Sequence, residues 1–89
     1  MFHVYAIYSP KANKIYIGQT SDLKNRLQQH NGESPFKQWT HRAKPWELIY
    51  SESCETRQRA MLREKQLKSG AGRTFLRTKL KEYLERKEV

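Results

Sequence analysis

From Phe2 to Tyr8 the residues sort by alternation: Phe2, Val4, Ala6 and Tyr8 fall on one side of an extended chain, and His3, Tyr5 and Ile7 on the other. Only a β-strand sends successive side chains to opposite faces, so this run commits the chain to a sheet almost from its first residue. Ser9-Pro10-Lys11-Ala12-Asn13 has turn chemistry and Lys14 to Gly18 is a second β-rich run, which together predict a hairpin with a loop of about five residues. Ile15 and Ile17 take one face of the second strand, Tyr16 and Gly18 the other. In an antiparallel pair Tyr5 and Tyr16 can then share a face, within reach of one ligand.

Helical signals follow. Thr20-Ser21-Asp22 offers capping oxygens and Asn31-Gly32 a stop, which bracket a first helix from Leu23 with Leu23, Arg26, Leu27 and His30 on one arc. Residues 33 to 45 read as a loop with one short helical turn around Phe36 to Thr40, and Trp46 to Ser51 as a third strand. Thr56 can cap a longer helix to about Ser69, closed by Gly70 and Gly72. Its apolar stripe is Ala60, Leu67 and Ala71, flanked by Met61, with Glu64 in the middle. A last amphipathic helix from about Arg73 carries Leu76, Leu80, Tyr83 and Leu84 on one side. The expected fold class is α+β, a small three-stranded antiparallel sheet flanked by helices, in a single domain over residues 1–89.

Eighteen Lys and Arg against nine Asp and Glu give a net charge of +9, and an excess of that size on so small a surface attracts polyanions. Nucleic acid is therefore the first partner to consider. No run approaches the roughly 18 apolar residues that span a bilayer, so the expectation is a soluble, cytoplasmic protein without a membrane partner. Cys54 is the only cysteine, which excludes an intramolecular disulfide and points to a small buried or half-buried hydrophobe. Nothing in the sequence bears on oligomeric state.

The chemistry sits at a few polar residues on inward positions. A carboxylate in an apolar stripe must pair with a cation or bind something, so Glu64 is either a salt-bridge partner of Arg26 or Lys68, or a ligand for one hard cation that keeps most of its waters. Arg26 is suited to bidentate contact with phosphate, and His30 can accept or relay a proton near neutrality. Singly, each also reads as packing, capping or ion pairing, and Tyr5 and Tyr16 as strand aromatics. Taken together, four segments each aim one such group inward.

Tyr5, Tyr16-Ile17-Gly18, Thr20, Asp22-Leu23, Arg26 and His30, then Pro45-Trp46-Glu47-Leu48-Ile49-Tyr50 and Arg63-Glu64-Lys65-Gln66-Leu67-Lys68, form a pattern that resembles the GIY-YIG nuclease domain. The likeness is to its small stand-alone bacterial members and, more distantly, to the N-terminal nuclease domain of the excinuclease C subunit, and it runs to about Leu80. The resemblance implies Glu64 as the metal-binding carboxylate for Mg²⁺ or Mn²⁺, and Tyr5 and Tyr16 on the catalytic face. It further implies that Gly18 leaves room for the backbone, that Arg26 steadies the scissile phosphate and that His30 acts in positioning or proton transfer. Gln19, Lys65 and Lys68 are then substrate-positioning candidates. The chain departs from the family pattern at His3-Val4-Tyr5, which lacks the first motif's glycine. Gln19 stands where a lysine is common, and no asparagine lies between Gly70 and Val89.

The expected function is a divalent-metal-dependent endonuclease that hydrolyses phosphodiester bonds in DNA, with a structure or single-strand preference and a role in repair, recombination or nucleic-acid turnover. Arg57, Arg59, Lys65 and Lys68, with Lys37, Arg42 and Lys44, would track the backbone, and Trp39 and Trp46 could stack on bases, although Trp46 suits a core. The alternatives are a catalytically degenerate nucleic-acid-binding module using the same basic surface and, from charge alone, a ribosomal or assembly protein.

Overall fold

The computed structural model describes residues 1–31 and 44–87. The helical turn expected around Phe36 to Thr40, together with Lys37, Trp39 and Arg42, lies outside them. The elements run β1 (Phe2–Ser9), β2 (Lys14–Thr20), α1 (Leu23–Asn31), β3 (Glu47–Cys54), α2 (Arg57–Leu67) and α3 (Gly70–Lys87). They form the α+β arrangement expected, with a three-stranded antiparallel sheet in the order β2-β1-β3.

β1 is central, so its alternation is buried on both faces. Val4, Ala6 and Tyr8 join Ile49 of β3, Ala60 and Leu67 of α2 and Leu76 of α3 in one core, with Ile15, Ile17 and Cys54 packed against it. Tyr5 and Ile7 face the other way, into a smaller cluster with Trp46, where Tyr16, Leu23 and Leu27 close over them. The sheet therefore separates α2 and α3 on one side from α1 on the other. In the hairpin Tyr5 stands opposite Gly18 and Tyr16 opposite Ile7, which makes the two tyrosines diagonal neighbours on the α1 face. The loop is one residue shorter than expected, Pro10 to Asn13, with Asn13 in the left-handed region at φ 52°.

Local chemistry sets the helix starts. Asp22 Oδ1 accepts from the Asn25 amide at 3.1 Å at the head of α1, and Thr56 Oγ1 accepts from the Arg59 amide at 3.2 Å at the head of α2. The stop between α2 and α3 differs from the sequence reading. α2 ends at Leu67 and α3 begins at Gly70, so Gly72 lies inside a helix instead of closing one. Its role is proximity: a Cβ there would sit 2.4 Å from the Gln66 carbonyl oxygen and 2.4 Å from Leu67 Cα. The tight fold-back of α3 on α2 depends on that missing carbon. Gly72→Ala is expected to cost about 1–3 kcal/mol, near the top of that range because backbone must move. A lowered denaturation midpoint at unchanged slope would register it.

The break also corrects the apolar stripe. Ala60 and Leu67 are buried as expected, but Met61 is 52% exposed and Ala71, displaced onto the next helix, is exposed. On α3, Leu76 is buried, Leu80 and Tyr83 are half-buried and Leu84 is exposed. Among the described residues no helix is long and apolar enough to cross a membrane.

Candidate active site

The α1 face of the hairpin gathers four of the sequence candidates. Tyr5 projects from the centre of β1, 1% exposed, and its Oη shares a 3.0 Å hydrogen bond with Nε2 of His30, which reaches it from the last turn of α1. Tyr16 lies beside both, with its ring centre 4.9 Å from that of His30 and 6.4 Å from that of Tyr5. Trp46 closes the cluster at 6.2 Å from Tyr16 and 6.4 Å from His30. Periodicity placed Tyr5 and His30 on inward faces; their bond joins segments 25 residues apart, which no local pattern specifies.

Gly18 stands opposite Tyr5 in the hairpin, where the space it leaves is taken by a side chain. A Cβ on Gly18 would lie 2.6 Å from Tyr5 Oη and 2.8 Å from its Cζ. The phenol therefore lies flat across the β2 backbone, and only glycine opposite Tyr5 allows it.

Arg26, one turn before His30, stands beside both phenols. Its guanidinium is held charged above its ordinary value, first by Tyr5, against the cost of burial. Nη1 donates to Gln29 Oε1 at 3.2 Å, whereas the buried Nε has no hydrogen-bond partner among the described residues. A buried N–H left this way costs roughly 1–3 kcal/mol, so the fork is held in place with one donor to spare.

The electrostatics follow from this packing. Burial pushes the Tyr5 phenol above its ordinary value, opposed by Arg26 and reinforced by Tyr16 and Glu64. Burial, and then the Arg26 charge, push the His30 imidazole down to about 4. Both partners of the Tyr5–His30 bond are therefore neutral at pH 7. The low value has a stability consequence. An unfolded histidine titrates near 6.5, so between about 6.5 and 4 the unfolded chain binds a proton that the folded chain refuses, and stability falls as pH drops through that window. Wild type is expected to lose about 2–3 kcal/mol more than His30→Gln between pH 7 and 4.5 in chemical denaturation.

Glu64 lies on α2, on the other side of the sheet from α1, and its charge is felt at Tyr5. Its side chain is about a quarter exposed and Oε2 accepts from Lys68 Nζ at 3.1 Å, the i,i+4 pair that sequence offered as one alternative; the other, Arg26, is not its ion-pair partner. No group of three or more His, Cys, Asp or Glu that could enclose a metal occurs among the described residues. The donor set fits a different demand: one hard carboxylate, partly open to water, suits a single hydrated divalent cation.

The remaining candidates are peripheral. Gln19 stands opposite Val4 and so shares the face of Ile15 and Ile17, away from the tyrosines. Lys65 is exposed on α2, Arg57 and Arg59 lie near its start, and Lys44 is exposed before β3. Two contributors escaped the sequence reading. Gln29 braces Arg26, which its i,i+3 spacing could have flagged. Asn31, read as a helix stop, also donates from Nδ2 to the Trp46 carbonyl at 3.0 Å and accepts from the Trp46 amide, fixing the aromatic wall.

Comparison with known proteins bears on this arrangement. The GIY-YIG catalytic domain family matches residues 1–80. The chain is 33% identical over 85 residues to a UPF0213 protein of Bacillus velezensis, covering 96% of this chain and 80% of that one. It is 34% identical over 85 residues to UPF0213 protein YazA of Bacillus subtilis, with the same coverage. A UPF0213 protein of Haloquadratum walsbyi is 31% identical over 68 residues, covering 76% of this chain and 75% of that one. No solved structure matches the chain.

Proposed function

Because the chain belongs to the GIY-YIG catalytic domain family, whose activity is that of an endonuclease, we propose that it hydrolyses phosphodiester bonds in DNA with the help of a divalent cation. The observation that carries this reading is the convergence of Tyr5, Tyr16, Arg26 and His30 on one face of the hairpin, with Glu64 near enough to act on Tyr5.

In this reading the Arg26 guanidinium clamps a non-bridging oxygen of the scissile phosphate. In the tautomer this reading requires, neutral His30 carries its proton on Nδ1, and Nε2 accepts from the Tyr5 hydroxyl. Attacking water loses a proton to Tyr5 Oη as Tyr5 passes its own to His30 Nε2; the water oxygen bonds to phosphorus, one P–O ester bond breaks with its electron pair on the departing oxygen, which takes a proton from solvent, and His30, a weak base here, gives its proton up to solvent at once. Both resting groups are neutral, so the relay starts from the correct protonation state at pH 7 without a tyrosinate. Tyr16 borders the phosphate and keeps Tyr5 and His30 in register. Glu64 would hold Mg²⁺ or Mn²⁺, which when bound neutralises charge developing on the phosphate and the leaving oxygen. Lys68 and Lys65 extend the positive surface beside it, and Gln19 lies at its margin.

Gly18→Ala tests the relay without touching a titratable group. The added carbon must push the Tyr5 hydroxyl off His30, and cleavage is expected to slow by roughly tenfold to a hundredfold in a protein that still folds; an unchanged rate would remove Tyr5 from the mechanism.

The proposal itself is tested on labelled single-stranded, duplex and flapped DNA, and on RNA, with Mg²⁺, Mn²⁺ or EDTA. The expected result is product that needs the cation, with the best substrate naming the preference. Salt-sensitive binding without product on any of them would instead make the chain a nucleic-acid-binding module.

A further inference from the structure

A groove of about 780 Å³ runs along the outer edge of β2, between that strand and the start of α3. Its rim carries Lys14, Lys68, Arg73 and Arg77, and no carboxylate lines it. Another groove, of about 410 Å³ beside β3, is different: Glu52 and Glu55 offset Arg59 and Arg63 there. On a chain with an excess of cations everywhere, it is the lack of a lining carboxylate that sets the β2 groove apart.

Two features tie it to the catalytic cluster. Tyr16 lines the groove, and its ring packs against His30 of the catalytic cluster. Lys68 lines it too, and the same ammonium contacts Glu64. Arg73 and Arg77 are four residues apart on one face of α3, exposed, and neither has an ion-pair partner among the described residues. Like charges at that spacing repel each other on a helix, a repulsion that a polyanion bound across both would relieve. Ile17 and Leu76 form an apolar floor beneath them.

We propose that this groove is the path of the nucleic-acid backbone on one side of the scissile bond, with Arg73 and Arg77 contacting successive phosphates, Lys14 flanking them and Lys68 at the junction with the catalytic centre. The proposal rests on the nuclease reading for what happens at its Tyr16 end; the binding path stands on the groove. It assigns phosphate contact to residues of α3 and β2, in place of the start of α2, where Arg57 and Arg59 lie roughly 15 Å of helix away from Lys68.

The test is the salt dependence of binding to a fluorescein-labelled single-stranded oligonucleotide, in EDTA so that no cleavage contributes. Each lost phosphate contact on a single strand lowers the slope of log affinity against log salt by about 0.7. Arg73→Ala/Arg77→Ala is expected to lower the slope by about 1.4, with Arg57→Ala/Arg59→Ala unchanged; all four residues are exposed, and circular dichroism checks that both variants fold. An unchanged slope in Arg73→Ala/Arg77→Ala, or an equal fall in both pairs, overturns the groove. Wild type that makes no product with Mg²⁺ while the slope still falls would refute the nuclease and leave the groove standing; product with an unchanged slope would do the reverse.

Discussion

Arg26→Ala is expected to slow DNA cleavage by about a hundredfold or more, the usual cost of removing one electrostatic contact made to developing charge. Arg26→Lys should recover little of that. The guanidinium is wedged beside Tyr5 and Tyr16 with Nη1 braced by Gln29, and its Nε is buried without a partner among the described residues. A planar fork in that position presents donors to a phosphate in a fixed plane; an ammonium on a flexible stem is a point charge and cannot reproduce it. Stability should change much less than rate, because the substitution also removes a buried donor whose desolvation is uncompensated. Single-turnover rates and denaturation midpoints for the three proteins check both halves. A large loss of stability with the rate per folded molecule intact would make Arg26 a structural residue.

How far this site could be read from the sequence depends on which period carried the information. Period two in β1 and β2 put Tyr5, Tyr16 and Gly18 on one face, and the register bears that out because a one-residue slip would exchange the two cores. Period 3.6 in α1 likewise put Arg26 and His30 on the inner arc, and His30 is 3% exposed. The α2 stripe was less legible. Projecting one helix through Ala71 carried its phase across a break at Lys68 and Ser69, where the Ser69 hydroxyl bonds the Gln66 carbonyl and a new helix starts. Glycines at 70 and 72 look alike as stop signals, yet nothing within 4 Å would meet a Cβ on Gly70, whereas Gly72 abuts backbone. Only the approach of α2 and α3 distinguishes them. The Tyr5–His30 bond, the Asn31 clamp on Trp46 and the uncompensated groove at β2 are tertiary facts of the same kind.

Glu64→Ala is the second substitution with a large expected effect, again about a hundredfold or more in rate, and here the fold should barely notice. Glu64 is partly open to water and its contact with Lys68 is an i,i+4 surface pair, a type worth about 0.3–0.5 kcal/mol. What the substitution removes is the carboxylate within range of Tyr5, the one proposed to hold the cation. Glu64→Gln should fail as Ala does, since an amide of the same shape is a far poorer ligand for a hard cation.

The most direct measurement is therefore cleavage of end-labelled DNA by wild type and Glu64→Ala, purified in parallel, with Mg²⁺ or with EDTA. Product from wild type only when Mg²⁺ is present, and none from Glu64→Ala in either condition, is the predicted result. Equal cleavage by the two proteins, or product from wild type that persists in EDTA, would contradict a metal-dependent nuclease built on Glu64.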